Sequence, residues 1–337
     1  MKEKSGIFLL CLSGIFCFLI CVLTGYTTIS GGLPDFFPLH TALENQNNTE
    51  TGEIHSETSK ESAANTESAV STTSAVQTVT KSDAIGTIIE KHFYESGINS
   101  NNVQINNKTS ANLNVNEFLK MKLPVKIETS SPQVLILHTH TTESYMLADR
   151  DFYTATDATH SNEESKNMIA VGAVFAKKLE AAKIKTIHSK VIHDYPSYSG
   201  SYDKSAETIN KVLKENPSIK VIIDLHRDSI ADGKGGKIKP VTQIGDKKAA
   251  QVMLVLGNNF DSWKNNFALA VKFHQTMQVM YPGLARPISL YNKKYNQNLC
   301  DGAFILEVGT DANTLEEALF AAELSANALV SLLNTLK

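Results

Sequence analysis

From about residue 130 to its end the sequence predicts an α/β layered fold, a mainly parallel sheet with helices on both faces. Three observations carry that expectation. Near-continuous apolar runs, QVLILH, IKTIHSK, SIKVIIDLH, AAQVMLVLG and AFILEVG, alternate with stretches of helical period at residues 163–182, 203–215, 264–280 and 314–336. Strands that are apolar on both sides belong to a sheet covered on both faces. Two helix starts have capping-box spacing, Ser161 with Glu164 and Thr314 with Glu317. Finally, ligand-type side chains gather where the strand runs end, which is where such sheets place their sites.

The chain before this region is built differently. Residues 1–5 carry Lys2 and Lys4, and residues 6–25 then run without a charge, the length of a membrane-spanning helix. No A-x-A cleavage signal follows, and Ile20 before Cys21 does not fit a lipoprotein signal. Residues 1–25 are therefore expected to be a cytoplasmic tip and transmembrane anchor, with all that follows outside the cell membrane. Residues 41–80 hold six glutamates against one lysine among Ser, Thr, Asn and Ala. Such a stretch buries too little apolar surface to offset the entropy of ordering, so residues 26–81 are expected to be a flexible tether.

Residues 82–129 predict a small helical lead-in. Ile85, Ile88, Ile89 and Phe93 have helical spacing, and ANLNVNEFLKMKLP suggests a second short helix. Residues 130–337 form the working domain. Cys11, Cys17 and Cys21 fall in the anchor, which leaves Cys300 alone beyond it and no disulfide to form there. With 42% apolar residues and a net charge of −3 over 337 residues, nothing suggests a nucleic-acid binder.

The chemistry concentrates at three strand ends. VLILHTHTTESY ends a buried strand in His138, His140 and Glu143, and an imidazole and a carboxylate three residues apart can close on one Zn²⁺ ion. His138 and His140, two residues apart, would face one side of an extended chain. IIDLHRDS supplies His226 as a third ligand. Asp224, two residues earlier, could accept that imidazole's second N–H. Arg227 and Asp228 could bind substrate or pair with each other. In FILEVG, Glu307 interrupts an apolar run, and burying a lone carboxylate is costly without a compensating partner. Beside a metal it could serve as general base in hydrolysis. Glu163 and Glu164 are rival carboxylate ligands, placed below Glu143 because the cap already occupies Glu164. His160, His188, His193 and His274 lack strand-end company and read as ordinary surface or packing residues.

LILHTHTTESY, IHDYPSYSGSYDKSAETI, VIIDLHRDS and FILEVG together resemble the stage II sporulation protein P family over residues 130–337. That resemblance implies a zinc-dependent cell-wall hydrolase of endospore-forming bacteria, with a fold like those of amidases and zinc carboxypeptidases. It would be an N-acetylmuramoyl-L-alanine amidase, able also to cut peptide cross-links, acting at the engulfing membrane. The resemblance also implies two partners, the lytic transglycosylase stage II sporulation protein D and the membrane protein stage II sporulation protein M. The chain departs from the wider amidase pattern in having HTHTTE where those enzymes have a DPGHGG turn and a Glu at the start of the next helix. The His140–Glu143 spacing instead resembles zinc carboxypeptidases. Competing readings are a metallo-carboxypeptidase or phosphoesterase using His138, His140 and His226, and a non-catalytic peptidoglycan-binding module.

Overall fold

A computed structural model describes residues 79–94 and 97–337. The expected anchor, and the tether up to residue 78, lie outside the described residues. No described helix is long and apolar enough to cross a membrane. In chain order the strands are β1 (Ala84–Lys91), β2 (Ile98–Ser100), β3 (Val103–Asn107), β4 (Val134–Leu137), β5 (Phe152–Thr154), β6 (Thr186–His188), β7 (Val221–Asp228), β8 (Lys237–Ile244), β9 (Lys247–Ala250), β10 (Val252–Gly257), β11 (Ile288–Tyr291) and β12 (Ala303–Thr310). The α-helices are α1 (Val115–Lys120), α2 (Met168–Ala181), α3 (Ser201–Glu215), α4 (Trp263–Met280) and α5 (Leu315–Asn334).

The central sheet has the order β2-β3-β11-β10-β12-β7-β4-β6. Its β3–β11, β11–β10, β12–β7, β7–β4 and β4–β6 pairings are parallel, while β10–β12 and β2–β3 are antiparallel. The sheet is thus mixed, and the reversal at β10 matters below. Alternation along the strands sorts the side chains between its two faces. Val134, Ile136, Val221, Ile223, Leu225, Phe304, Leu306 and Val308 pack against Phe175 of α2, Phe273 of α4 and Leu329 of α5. Leu135, Leu137 and Ile222 pack against Ile209 of α3 on the other side. By the same alternation Asp224, His226 and Glu307 project on the α3 face.

Two expectations are corrected here. Residues 82–129 are not a helical lead-in: β1 is a strand, parallel to β8 and antiparallel to β5 in a second sheet of order β5-β1-β8-β9, and β3 joins the central sheet beside β11. Among the described residues of this segment only α1 is α-helical. Spacing misled because Ile85 and Ile89 are 63% and 44% exposed, so the apparent apolar stripe is not a buried face. The partner strand β8 lies far along the chain, beyond any local pattern. The second correction is at α2, which starts at Met168 rather than near residue 163. Its cap is Asn167, whose Oδ1 accepts from the Ile169 N–H at 2.9 Å. Ser161 Oγ instead accepts from Glu163 N in a turn, and Glu164 reaches Lys190 Nζ at 2.7 Å. The other capping box is present: Thr314 Oγ1 accepts from Glu317 N at 3.1 Å, and Glu317 Oε2 from Thr314 N at 3.0 Å.

Candidate metal centre

The parallel register of β7 and β12 puts Glu307 beside His226. β12 then bends: the register shifts between Glu307 and Thr310, and Gly309 takes φ +67° where a Cβ would lie 2.6 Å from Asn313 Oδ1 and 2.9 Å from Ala250. Glycine is required there by both conformation and space. On the other side of β7, the chain leaves β4 and turns at once, with residues 138–146 all buried. Carboxylates pin this turn. Asp224 accepts from Thr139 N at 2.8 Å and Thr139 Oγ1 at 2.6 Å, and Asp194 Oδ2 accepts from Thr142 Oγ1 at 2.7 Å. Glu143 pairs through its backbone with His160 as an isolated antiparallel bridge.

The pinned turn brings His140, Glu143 and His226 to one cavity of about 620 Å³, also lined by Glu307, Tyr198, Tyr202, His160, Arg227, Asp228 and Asp311. The His140 and His226 rings meet edge to face with centroids 5.2 Å apart. His226 Nδ1 lies 3.6 Å from Glu143 Oε2 and its Nε2 lies 3.0 Å from Asp224 Oδ1. His140 Nε2 meets the Tyr198 hydroxyl at 3.0 Å, with the two rings stacked. His140 Nδ1 and Glu307 Oε2 are buried without a hydrogen-bond partner. Buried polar atoms without partners are rare and call for an explanation.

The electrostatics point the same way. Burial opposes protonation of His226, yet Asp224 and Glu143 outweigh it and hold its pKa well above the ordinary value. Burial also opposes ionisation of Glu143, but the hydrogen bond and charge of His226, with Arg227, keep that carboxyl below its usual range. Glu307 goes the other way: desolvation first, then the neighbouring Asp228 and Glu143, raise it to about 8 against the pull of His226. This cluster attracts positive charge. Two imidazoles and a carboxylate are donor types suited to zinc; the Tyr198 hydroxyl engages His140 Nε2, and Asp224 lies 3.0 Å from His226 Nε2 without a hydrogen bond to it.

The remaining sequence candidates are placed differently. His138 is two residues from His140 but does not share its site, because β4 ends at Leu137 and the chain is no longer extended. Its Nδ1 meets the Leu225 carbonyl at 3.2 Å and its Nε2 meets His188 Nε2 at 2.9 Å. Gly172 of α2 leaves room for that pair, since a Cβ there would lie 2.4 Å from His188 Nε2. With both nitrogens engaged, His138 is no third histidine for the cavity. Asp224 stands behind His226 and also ties down Thr139. Arg227 donates from Nη2 to Thr159 O at 2.7 Å, from Nε to Ser144 O at 3.2 Å, and from its backbone N–H to Glu143 Oε2 at 3.1 Å. It braces the turn and does not pair with the Asp228 carboxylate, which binds Arg286 at 2.9 Å. Glu163 and Glu164 are exposed and paired with Lys166 and Lys190, away from the cavity.

His160 is exposed, as its isolation in the sequence suggested, and lies at the edge of the cavity. His193, buried as a packing residue, meets the His138 carbonyl at 2.7 Å. Tyr198, Tyr202 and Asp194 were not singled out by sequence reasoning. The signal that could have found them is the tyrosine-rich IHDYPSYSGSYDKSAETI stretch itself.

The profile of the family described as stage II sporulation protein P matches residues 24–330, and the chain belongs to that family. It is 34% identical over 218 residues to Stage II sporulation protein P of Bacillus subtilis (strain 168), covering 61% of this chain and 52% of that protein. The chain thus spans about half the length of that curated relative. Among solved structures it is similar to N-acetylmuramoyl-L-alanine amidase AmiC2 of Nostoc punctiforme, with TM-score 0.37, 11% identity, and coverage of 62% of this chain and 99% of that one. A second similar structure is an N-acetylmuramoyl-L-alanine amidase from Clostridium difficile 630, with TM-score 0.38, 14% identity, and coverage of 61% and 99%.

Proposed function

We propose that this protein is a zinc-dependent N-acetylmuramoyl-L-alanine amidase that cuts stem peptides from peptidoglycan, with cross-link endopeptidase cleavage as a second activity. One observation carries the reading. His140, Glu143 and His226 share a cavity with Glu307, and the residues lining it include four buried atoms, His140 Nδ1, His226 Nε2, Glu307 Oε2 and Asp311 Oδ1, that lack a hydrogen-bond partner. Those three residues would hold the ion, which would supply Lewis-acid polarisation of the scissile carbonyl and activation of water.

The chain's own groups do the rest. The charge of a bound ion would favour the ionised form of Glu307, and this carboxylate, held beside His226 by strand register, takes a proton as water oxygen adds to the lactyl carbonyl carbon. It returns that proton to the alanine nitrogen as the C–N bond breaks. Asp224 and Tyr198 orient the two imidazoles, and the Arg227 backbone N–H fixes Glu143. The unit works outside the cell membrane on the tether, anchored by residues 6–25, during engulfment in endospore formation. There it would act beside stage II sporulation proteins D and M.

The test is Glu307→Gln, which keeps volume and removes proton acceptance. Zinc content and folding should be near wild type, while hydrolysis of the muramoyl–alanine bond, followed by mass spectrometry of muropeptides, should fall at least ~100-fold. Near-wild-type hydrolysis with zinc bound would make Glu307 structural and sink this mechanism.

A further inference from the structure

β10, β11 and β3 run opposite to β4, β7 and β12, so their amino ends lie at the same end of the central sheet as the carboxyl ends that bear His140, His226 and Glu307. At that end, beside β3, is a second cavity of about 620 Å³ lined by His92, Tyr94, Gln104, Thr242, Gln243 and Gln278. Gln104 alternates with the core residues Val103 and Ile105 and therefore lies on the face that carries Glu307. β3 is three strands from β12, a lateral distance of about 14 Å.

The wall of this cavity is fixed from behind. Gln251, fully buried, accepts from Phe93 N at 2.7 Å and donates to Phe93 O at 3.0 Å and Gly283 O at 2.8 Å. His92 Nε2 donates to Gly283 O across 3.2 Å, which leaves Nδ1 as an acceptor. That Nδ1 and Gln104 Oε1 are both buried without a partner. Burial lowers the His92 pKa, so the ring stays neutral. The charges at the cavity are already matched, with Lys248 Nζ 2.6 Å from Glu90. Tyr94, whose ring centroid lies 3.7 Å from that of His92, is 70% exposed and offers an open face. The two acceptors lie beneath the cavity surface, and what faces a ligand is uncharged: the amides of Gln104, Gln243 and Gln278, paired charges, and the exposed Tyr94 ring. These suit a neutral ligand with hydroxyl and amide groups and an apolar ring face. That chemistry is a saccharide's.

We infer that this second cavity is a non-catalytic N-acetylhexosamine subsite, which holds the glycan strand while the bond beside Glu307 is cut. The inference rests on the amidase reading for its substrate. Arg286 links the two cavities, since it binds Asp228 of the first at 2.9 Å and lies over the Phe93 ring of the second at 5.1 Å.

The experiment titrates the full-length chain with a neutral β-1,4 N-acetylglucosamine tetramer by calorimetry, alongside free stem peptide. Tyr94→Ala should weaken tetramer binding about tenfold or more, as expected for an aromatic anchor, and Gln104→Ala about fivefold. Glu307→Gln should bind it like wild type. Tyr94 is exposed, so its truncation should leave the fold intact, as a thermal melt would show. Tetramer binding that is undetectable at millimolar concentration, or unchanged in both variants, overturns the subsite even if wild type cuts the muramoyl–alanine bond. If wild type binds the tetramer through Tyr94 and Gln104 but cuts nothing, the amidase reading falls and the saccharide subsite stands.

Discussion

The two sheets of this molecule each gather acidic groups around a positive charge, and they obtain that charge differently. In the small sheet, Lys239 of β8 is 1% exposed, with its ammonium 2.6 Å from Asp149, 2.8 Å from Glu317 and 3.2 Å from Glu90. Those three carboxylates offer atoms all within 4.8 Å of one another, which resembles a cation site, but the chain has supplied its own cation. Burial favours loss of the Lys239 proton, yet Asp149 and Glu317 outweigh it and raise the pKa above the ordinary value. At the end of the central sheet, by contrast, Asp224, Glu143 and Glu307 surround the imidazoles of His140 and His226 with no lysine among them, and His140 Nδ1, His226 Nε2 and Glu307 Oε2 are left without hydrogen bonds. An acidic cluster with an internal lysine is complete as folded. One that leaves buried polar atoms unmatched calls for something from outside, and that contrast separates a structural ion cluster from a candidate metal centre more clearly than counting carboxylates does.

The comparison can be broken most directly at His226. His226→Ala should take zinc from about one ion per chain to almost none by elemental analysis, whereas Lys239→Met should leave it unchanged; equal zinc in both would remove the distinction. Lys239→Met should instead cost stability, about 3 kcal/mol, measured by urea denaturation. Only Glu317 of its three partners is buried, which keeps the cost at the low end of the range for a broken buried pair. If the trio differs from a cation site only by its ammonium, millimolar calcium should recover part of that loss in the variant and do nothing to wild type.

Acid should sharpen the same contrast. The hydrogen bond from Lys239 lowers the pKa of Asp149; for Glu90, burial opposes ionisation but Lys248 and Lys239 outweigh it. Carboxyls depressed in the folded state bind fewer protons than in the unfolded chain, whose values are 3.8 and 4.5. Their contribution is therefore present above those values and is lost as pH falls through the folded ones. Wild type should lose more stability than Lys239→Met between about pH 5 and 3. Identical pH profiles would show that the lysine does not set those carboxyls. The smallest effects lie outside both clusters. Asn167→Ala should cost about 1 kcal/mol as a lost cap, while Glu164→Ala, an exposed partner of Lys190, should stay within about 0.5 kcal/mol. A reversed order in thermal melts would return the start of α2 to Ser161.

Much of this architecture was legible beforehand, because a strand buried on both faces must be apolar along its length. β4, β7 and β12 announce themselves, as does the Thr314–Glu317 cap, where side chain and backbone satisfy each other within one turn. β1 reads as a helix in the sequence because local information is lacking: its hydrogen bonds go to β5 and β8, and its exposed isoleucines imitate a helical stripe. The second cavity is assembled from β1, β3, β8, β9 and the end of α4 with its following turn, places with no common motif.

By itself, then, the sequence determined which side chains terminate buried strands. Composition and period settle that locally, and His140, His226 and Glu307 were nameable on that ground alone. Only the tertiary structure decided which of them meet. His138 and His140 part company because the chain turns at Leu137, Glu143 comes to His226 because Arg227 and Asp224 hold the turn in place, and Tyr198 reaches His140 from a loop 58 residues away. Contacts of that kind depend on closing long loops against a finished sheet, and no local pattern of residues records which loops will close.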